Sequence, residues 1–254
     1  MIKKIFENLK EFYYLFIIIF SEVRVIWIFQ MIFGMVAPIG LILFIKVFWN
    51  NYNKIQAIHL ISGNVVISMV MPLMLMLCSR LAQMKYDESI NYFIGLPIKK
   101  INFILALIFS SAISYLPASI ATLIFTKLIL GINIEIQKVL FTVIIAFIIS
   151  SLSFVGLGVF IGLKSKTPIH SNIIGNAVVF FMVFFTPTII PTEKFPKIFL
   201  WISYLFPTTY AVNLFESIFN NIFNGAFFIN LFVLSLFVLI SFVYLYKFIN
   251  WYIE

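Results

Sequence analysis

Four methionines lie close together in one apolar stretch, where their thioether sulfurs could bind a soft metal ion. They are Met69, Met71, Met74 and Met76. Thioether ligands suit copper(I), but on a helix these positions spread around the cylinder, and only 69 and 76 share a face. The spacing therefore favours adaptable packing beside Pro72, and we expect no metal site in this chain.

The histidines, the single cysteine and the acidic residues give no pattern of a catalytic centre. His59 and His170 fall near the ends of two apolar stretches, on opposite sides of the membrane in the topology given below. Cys78 has apolar neighbours and no partner for an internal disulfide. The centres of the apolar stretches contain no acidic residue, whereas a membrane hydrolase needs an acid–base pair or metal ligands. We therefore expect no catalytic residue.

One glycine-containing stretch comes nearest to a phosphate-binding loop. It reads Gly158-Val-Phe-Ile-Gly-Leu-Lys-Ser165, but Leu163 stands where such a loop has its second glycine. Gly158 and Gly162 instead form a pair of small residues, four apart, that allows two helices to pack closely. If ATP supplies energy to this protein, another polypeptide must bind it.

Neutral polar residues within the apolar stretches are the remaining candidates for a functional site. Asn172 and Asn176 share one helix face, and Gln30 and Asn64 lie in two other stretches. Amides at such positions form hydrogen bonds between helices or line a transport path. The sequence leaves both interpretations open.

Six long apolar stretches must position these residues. Each stretch has the roughly 20 residues that a helix needs to cross a bilayer, and helices satisfy their own backbone hydrogen bonds in lipid. With 63% hydrophobic and 10% charged residues in 254, the chain is expected to be an all-α polytopic membrane protein with one domain. The stretches are Val25–Phe48, His59–Leu81, Ile101–Thr126, Val139–Leu163, Ile169–Ile190 and Ala226–Ile249.

The residues before the first stretch predict a helix lying at the membrane interface, over residues 2–20. Its apolar part, residues 12–20, is too short to span. It leads into Ser21-Glu-Val-Arg24 without the small residues of a signal-peptide cleavage site.

The distribution of basic residues predicts the topology. Six spans place both termini on one side, and if that side is cytoplasmic, eleven of the 17 Lys and Arg residues face inward and six outward. This bias follows the positive-inside rule and predicts cytoplasmic N- and C-termini. We assign the net charge of +8 to loops that meet anionic membrane lipids, and expect no nucleic-acid partner because no basic arm stands outside the spans.

The cytoplasmic segment between the second and third spans has the pattern of a short amphipathic helix. Acidic and hydroxyl residues suit its start, three apolar residues follow at i, i+3, i+4 spacing, and a glycine and a proline end it. From the pattern alone, this helix could anchor in lipid or bind a soluble partner. Its residues are Asp87, Glu88, Ser89, Ile90, Phe93, Ile94, Gly95 and Pro97.

The region 191–225, outside the membrane in this topology, is expected to form a re-entrant hairpin. Prolines break it into short pieces, one of which is apolar and aromatic but too short to cross. Its aromatic residues suit the headgroup level. The residues that define it, together with the preceding Pro187, are Pro191, Pro196, Trp201, Pro207 and Tyr210.

These two segments, with the six spans and the N-terminal helix in this order, resemble the membrane subunit of type-2 ABC exporters. Asp87-Glu88…Leu96-Pro97 is similar to the acidic-then-Leu/Ser-Pro stretch of that family. Pro191…Phe195-Pro196…Leu205-Phe-Pro-Thr-Thr-Tyr210 is similar to its proline-rich stretch after the fifth span. The chain departs from the family pattern at Phe206, where asparagine is usual, at Thr186-Pro187, where a small residue and glycine are common, and at Ser89, where glycine is usual.

The resemblance implies a bacterial plasma-membrane permease that exports an amphipathic or lipid-like substrate, such as a drug, a peptide or a lipid-linked saccharide. The helix from Ser89 to Gly95 would be the coupling helix that docks on a separate ABC ATPase subunit, which binds ATP and Mg. A second permease copy, identical or related, would complete the path by which alternating access moves the substrate. The chain itself would bind no cofactor.

Three other functions are weighed against this one. A membrane enzyme lacks a polar cluster to carry its chemistry, and a secondary transporter lacks buried charges and a clear internal repeat. A non-transport immunity or assembly factor of the same fold stays open.

Overall fold

The computed structural model describes residues 2–24, 27–48, 53–132 and 136–248. These residues form α-helices and connecting turns, with no β-strand in the described ranges, which confirms the all-α class. A 3-10 turn, Thr192–Lys194, lies between α7 and α8. The helices are α1 Ile2–Arg24, α2 Trp27–Phe48, α3 Lys54–Tyr86, α4 Ser89–Ile94, α5 Lys100–Leu130, α6 Ile136–Lys164, α7 Pro168–Phe185, α8 Lys197–Ser203, α9 Pro207–Phe219 and α10 Gly225–Phe248.

Six of these helices are long and apolar enough to cross a membrane: α2, α3, α5, α6, α7 and α10. They correspond one by one to the six predicted stretches and confirm a multi-pass membrane protein. The shorter helices α8 and α9 meet at 93°, because Pro207 begins a new helix where the chain turns.

Helix α3 is the centre of the bundle. It begins with a capping box, in which the Asn53 side chain accepts a hydrogen bond from the Gln56 main-chain N–H (2.9 Å) and the Gln56 side chain accepts one from the Asn53 N–H (3.2 Å). Most of its length is buried against α2, α5, α6, α7 and α9. A spanning helix that is buried on most sides offers little surface to lipid.

Three helices converge at Cys78. A Cβ atom at Gly162 of α6 would lie 2.8 Å from the Cys78 carbonyl oxygen, and one at Gly158 would lie 3.0 Å from the Met74 carbonyl oxygen. From α7, the Ser171 hydroxyl donates to the Cys78 carbonyl (2.8 Å). The structure thus places both glycines of the predicted small-residue pair where α6 touches the backbone of α3.

Helix α1 is longer than residues 2–20 and continues to Arg24. Leu15 and Ile19 are buried in a cluster with residues of α3 and α5. The Arg80 guanidinium donates to the Glu22 carboxylate at 2.5 Å. The ion pair lies in the last turn of α1, beyond the apolar residues 12–20. Arg80 is distant in sequence, so the local apolar pattern could not have indicated this contact.

Candidate functional site

The turn after α3 fixes the orientation of α4. Glu88 adopts the left-handed backbone conformation (φ 59°), and the Asp87 carboxylate accepts hydrogen bonds from the Ser89 main-chain N–H (3.1 Å) and the Gln83 amide (3.2 Å). Hydrogen bonds from Ser89, through its side chain and its main chain, and from Gln83 hold the pKa of Asp87 below its ordinary value. We call residues 87–99, which contain the helix predicted to bind a partner, the docking segment after that prediction.

One side of the docking segment packs into the bundle. Phe93 is 8% exposed, and its ring centroid lies 4.9 Å from that of Phe103 on α5. The same cluster includes Leu15 of α1 and Leu81 of α3. Ile90 packs against this cluster and Ile94 is half-buried, so the apolar face of the segment is turned towards its own chain.

The other side of the docking segment is open to solvent. Tyr92 is 68% exposed, and Asn91 beside it is exposed too. Sequence reasoning missed both residues, although they follow from the helical period once the apolar face points inward. The exposed residues that were predicted are Asp87, Glu88, Ser89, Gly95 and Pro97.

Hydrogen bonds tie the end of the docking segment to α1. The main-chain N–H of Lys99 donates to the Glu11 carboxylate, and its ammonium group donates to the Asn8 side-chain oxygen. On the α3 side, the Lys85 ammonium donates to the Leu163 carbonyl at the end of α6 (3.0 Å). The chain on either side of α4 is therefore hydrogen-bonded to α1 and to α6.

A cavity of about 610 Å³ lies between α2, α3, α5 and α7. Most of its lining is apolar, with Met71, Pro72 and Leu75 supplied by α3. Its polar groups are Ser79, Tyr115 and Asn172. The Asn172 amide approaches the Ser79 hydroxyl at 3.5 Å, and the Tyr115 hydroxyl donates to the Met76 sulfur at 3.1 Å.

Of the four amides that were candidates for lining a path, three are described, and they occupy different places. Asn172 lines the cavity, and Asn176, one turn further along α7, donates to the Asn172 carbonyl (2.8 Å). Asn64 does not line it: the side chain is buried between α3 and α5 and donates to the Thr126 hydroxyl (2.9 Å). The side chain of Gln30 lies outside the described residues.

The chain between α7 and the hairpin region lies against the N-terminal part of α3. A Cβ atom at Gly63 would lie 1.6 Å from the Thr188 carbonyl oxygen, so the chain after α7 touches the α3 backbone itself. Pro187 and Pro207 are buried, Pro191 is half-buried, and Pro196 precedes α8 in an exposed position. Trp201 is exposed, and the Tyr210 hydroxyl donates to the Tyr204 carbonyl (3.0 Å).

A polar pair that the sequence did not suggest connects α3 to α9. His59 Nδ1 donates to Glu216 Oε1 at 2.9 Å, and the exposed fractions of the two side chains are 3% and 27%. The other ring nitrogen of His59 is buried and has no hydrogen-bond partner among the described residues. The one available signal was Glu216 itself, the only charged residue of α9.

The candidate metal ligands do not converge in the part of the chain that the structure describes. No group of three His, Cys, Asp or Glu side chains there is placed to hold a metal ion. Met69 and Met74 are buried in the core, whereas His170 is exposed at the start of α7. The described residues do form an exposed helix face at Tyr92, a cavity and a packed hairpin region.

Comparison with known proteins identifies the family to which this arrangement belongs. A search of curated proteins found no match to the chain. The family model described as ABC-2 type transporter matches residues 11–220, a range that includes the docking segment, the cavity-lining residues and the hairpin region up to residue 220. The match covers most of the sequence, and the chain therefore belongs to the ABC-2 type transporter family.

Proposed function

We propose that this chain is the membrane subunit of an ATP-driven exporter, and that its ATPase partner binds the exposed face of the docking segment. Membership of the ABC-2 type transporter family supports a permease that works with ABC ATPase subunits. The observation that carries the proposal is the division of α4, with Phe93 buried and Tyr92 exposed on the same short helix. A segment anchored by one face and open on the other can receive a partner without unfolding.

The same geometry supports a route for the coupling. ATP and Mg bind to the partner, and closure of two ATPase subunits moves the docking segment. Because Lys99 joins its end to α1 and Lys85 joins the preceding turn of α3 to α6, the motion reaches several helices at once. Rigid elements with discrete arrangements transmit such movement, and the bundle alternates between inward-open and outward-open states.

The cavity between α2, α3, α5 and α7 supports an amphipathic or lipid-like substrate. Its walls are mainly apolar, with Asn172, Ser79 and Tyr115 as isolated polar groups, the pattern of sites that bind mostly apolar ligands and orient them with a few polar contacts. A second permease copy, identical or related, closes the path on the other side. The hairpin covers its outer exit.

The charge distribution supports an orientation with the docking segment in the cytoplasm of a bacterial cell. Basic residues near that end of the bundle include Arg80, Lys85, Lys99 and Lys164. Basic residues accumulate on the cytoplasmic side of membrane proteins, where a soluble ATPase is available. Both termini then lie in the cytoplasm and the hairpin lies outside the plasma membrane.

The experiment is co-purification of the detergent-solubilised chain with the ATPase encoded next to it. The test variant is Tyr92→Ser, and the matched control is Tyr204→Ser, the same substitution at an exposed position in the hairpin region. We expect the wild type and the control to retain an active ATPase, and Tyr92→Ser to lose most of it while keeping its melting temperature.

A chain that purifies without any ATPase would contradict the exporter and return attention to the immunity-factor and secondary-transporter alternatives. An ATPase retained equally by Tyr92→Ser and Tyr204→Ser would leave the exporter standing but show that the docking face lies elsewhere.

A further inference from the structure

A second concave surface, separate from the cavity above, lies between α1 and α5. It has a volume of about 660 Å³, within the range of roughly 300–1,000 Å³ that is usual for small-molecule sites. We call it the α1–α5 groove. Its lining residues are Asn8, Leu9, Phe12, Tyr13, Phe16, Asn102, Leu105, Phe109 and Ile113.

The groove has an apolar length and one polar end. Phe12, Phe16 and Phe109 form its floor, and the rings of Phe12 and Phe109 meet edge to face at 6.1 Å. At the polar end, the Lys99 ammonium donates to the Asn8 side chain, and the Asn102 amide approaches the Asn8 carbonyl at 3.4 Å. An ammonium has three N–H donors and an asparagine amide has two, so this end can donate to a further acceptor.

The length of the groove matches one leaflet of a bilayer. From Asn102 to Ile113 a helix rises about 16 Å at 1.5 Å per residue, and half of the hydrocarbon core measures about 15 Å. Tyr13 and Ile113 are exposed along the groove, and Ile17 and Ile18 are exposed further along α1. These apolar side chains place the open side of the groove against lipid.

We propose that the α1–α5 groove binds one acyl chain of a phospholipid, with its phosphate at the end formed by Asn8, Lys99 and Asn102. The charge is complementary, because the Lys99 ammonium stands where the headgroup would lie. The nearby Glu11 carboxylate accepts from the main-chain N–H of Lys99. Since α1 also holds the end of the docking segment, a bound lipid stabilises the position of that segment.

The test titrates the detergent-purified full chain with phosphatidylglycerol, and with diacylglycerol carrying the same acyl chains, while native mass spectrometry counts the bound lipid. We expect one phosphatidylglycerol to bind about tenfold more tightly than diacylglycerol, because charge-assisted hydrogen bonds to the phosphate are lost in the latter. Equal binding of the two lipids would overturn the assignment of the polar end.

Two pairs of variants locate the site. Ile113→Trp should fill the groove and lower phosphatidylglycerol occupancy about tenfold. The control is Ile124→Trp on the same helix, which should leave the occupancy unchanged. The exposed fractions of the two side chains are similar, 40% for Ile113 and 48% for Ile124. Lys99→Gln should remove the preference for the phosphate-bearing lipid, and Lys197→Gln in the hairpin region should keep it. Equal lipid occupancy in both tryptophan variants, or an unchanged preference in Lys99→Gln, would overturn the proposal.

These outcomes do not depend on the exporter. Lipid binding by the chain alone can fail while the ATPase still co-purifies, and the reverse is equally distinguishable. If Ile113→Trp does not fold, which its melting temperature will show, the Lys99→Gln titration decides the question.

Discussion

His59 and Glu216 are 157 positions apart in the chain, and their side chains meet at 2.9 Å between Nδ1 and Oε1. The contact joins the beginning of α3, the central helix, to α9, the inner arm of the hairpin. Because His59 is almost fully buried, its partner satisfies a polar group that water does not reach.

Replacing Glu216 by Ala should destabilise the protein by about 1–3 kcal/mol, the usual cost of leaving a buried polar group without its partner. Glu216→Gln keeps an acceptor oxygen and should lose less. Thermal unfolding in detergent measures both, with Glu7→Ala, an exposed acid on α1, as the control. Equal melting temperatures for Glu216→Ala and the wild type would show that the pair does not hold the hairpin.

The effect of replacing a glycine by alanine should depend on the atoms that the added methyl group would meet. Gly162→Ala puts a methyl group against the Cys78 carbonyl and Gly63→Ala puts one against the Thr188 carbonyl. Each should cost about 1–3 kcal/mol through overpacking. Gly40→Ala is the matched control, since no atom lies within 4 Å of its added Cβ and alanine is the better helix former by roughly 0.5–1 kcal/mol.

Thermal unfolding of the three variants, at one detergent concentration, checks this order. A melting temperature of Gly162→Ala equal to that of Gly40→Ala would show that α3 and α6 separate enough to admit a methyl group.

Phe93 should matter for stability, whereas Tyr92 should matter for binding of the proposed ATPase partner. Phe93→Ala removes a buried ring from the cluster that contains Phe103 and should cost about 3–5 kcal/mol. Tyr92→Ala exposes no cavity and should change the melting temperature little. A double-mutant cycle with Phe103→Ala measures the coupling between the two rings, and a coupling near zero would contradict the anchoring contact.

The turn before α4 should respond to acid. The folded-state pKa of Asp87 lies below its ordinary value of 3.8, so its contribution to stability is complete above pH 3.8 and is lost as the pH falls through the lowered pKa. The protection of the Ser89 amide against hydrogen exchange, taken relative to its intrinsic exchange rate at the same pH, should therefore fall under those acidic conditions. In Asp87→Ala the exchange should already be fast at neutral pH, and the same rate in both proteins would exclude the hydrogen bond as a restraint.

The length and type of the spans were predictable because local apolarity sets them. Each of the six stretches has a helix in the structure. The positions of the prolines also predicted a break between α8 and α9. The short helix at residues 89–94 was also predictable, because three apolar residues at i, i+3, i+4 spacing are enough to indicate a helical period.

The sequence could not tell what each surface touches. The apolar face around Phe93 was visible, but only the fold shows that it packs on α5 and leaves Tyr92 outside. Asn64 and Asn172 are the same residue type in similar surroundings, and they differ because Thr126 is within reach of one of them. The pair of His59 and Glu216 depends on how the hairpin returns to α3, which no local pattern encodes.

The proposed second copy can be located by cross-linking through α7. Asn176 lies one turn beyond Asn172, which lines the cavity. If two chains close the path, a cysteine at 176 lies near the partner, while one at Phe232 on α10 faces lipid from an exposed position. The native Cys78 is buried, so the wild type serves as the unreactive background.

A short thiol cross-linker should therefore give a covalent dimer with Asn176→Cys and none with Phe232→Cys. A product with twice the mass of the chain would show that two identical chains meet at this position. Cross-linking at 232 without any at 176 would place the contact on the α10 side, where the cavity is absent. That result would contradict a transport path shared by two chains, because the cavity would then face lipid and not a second permease copy.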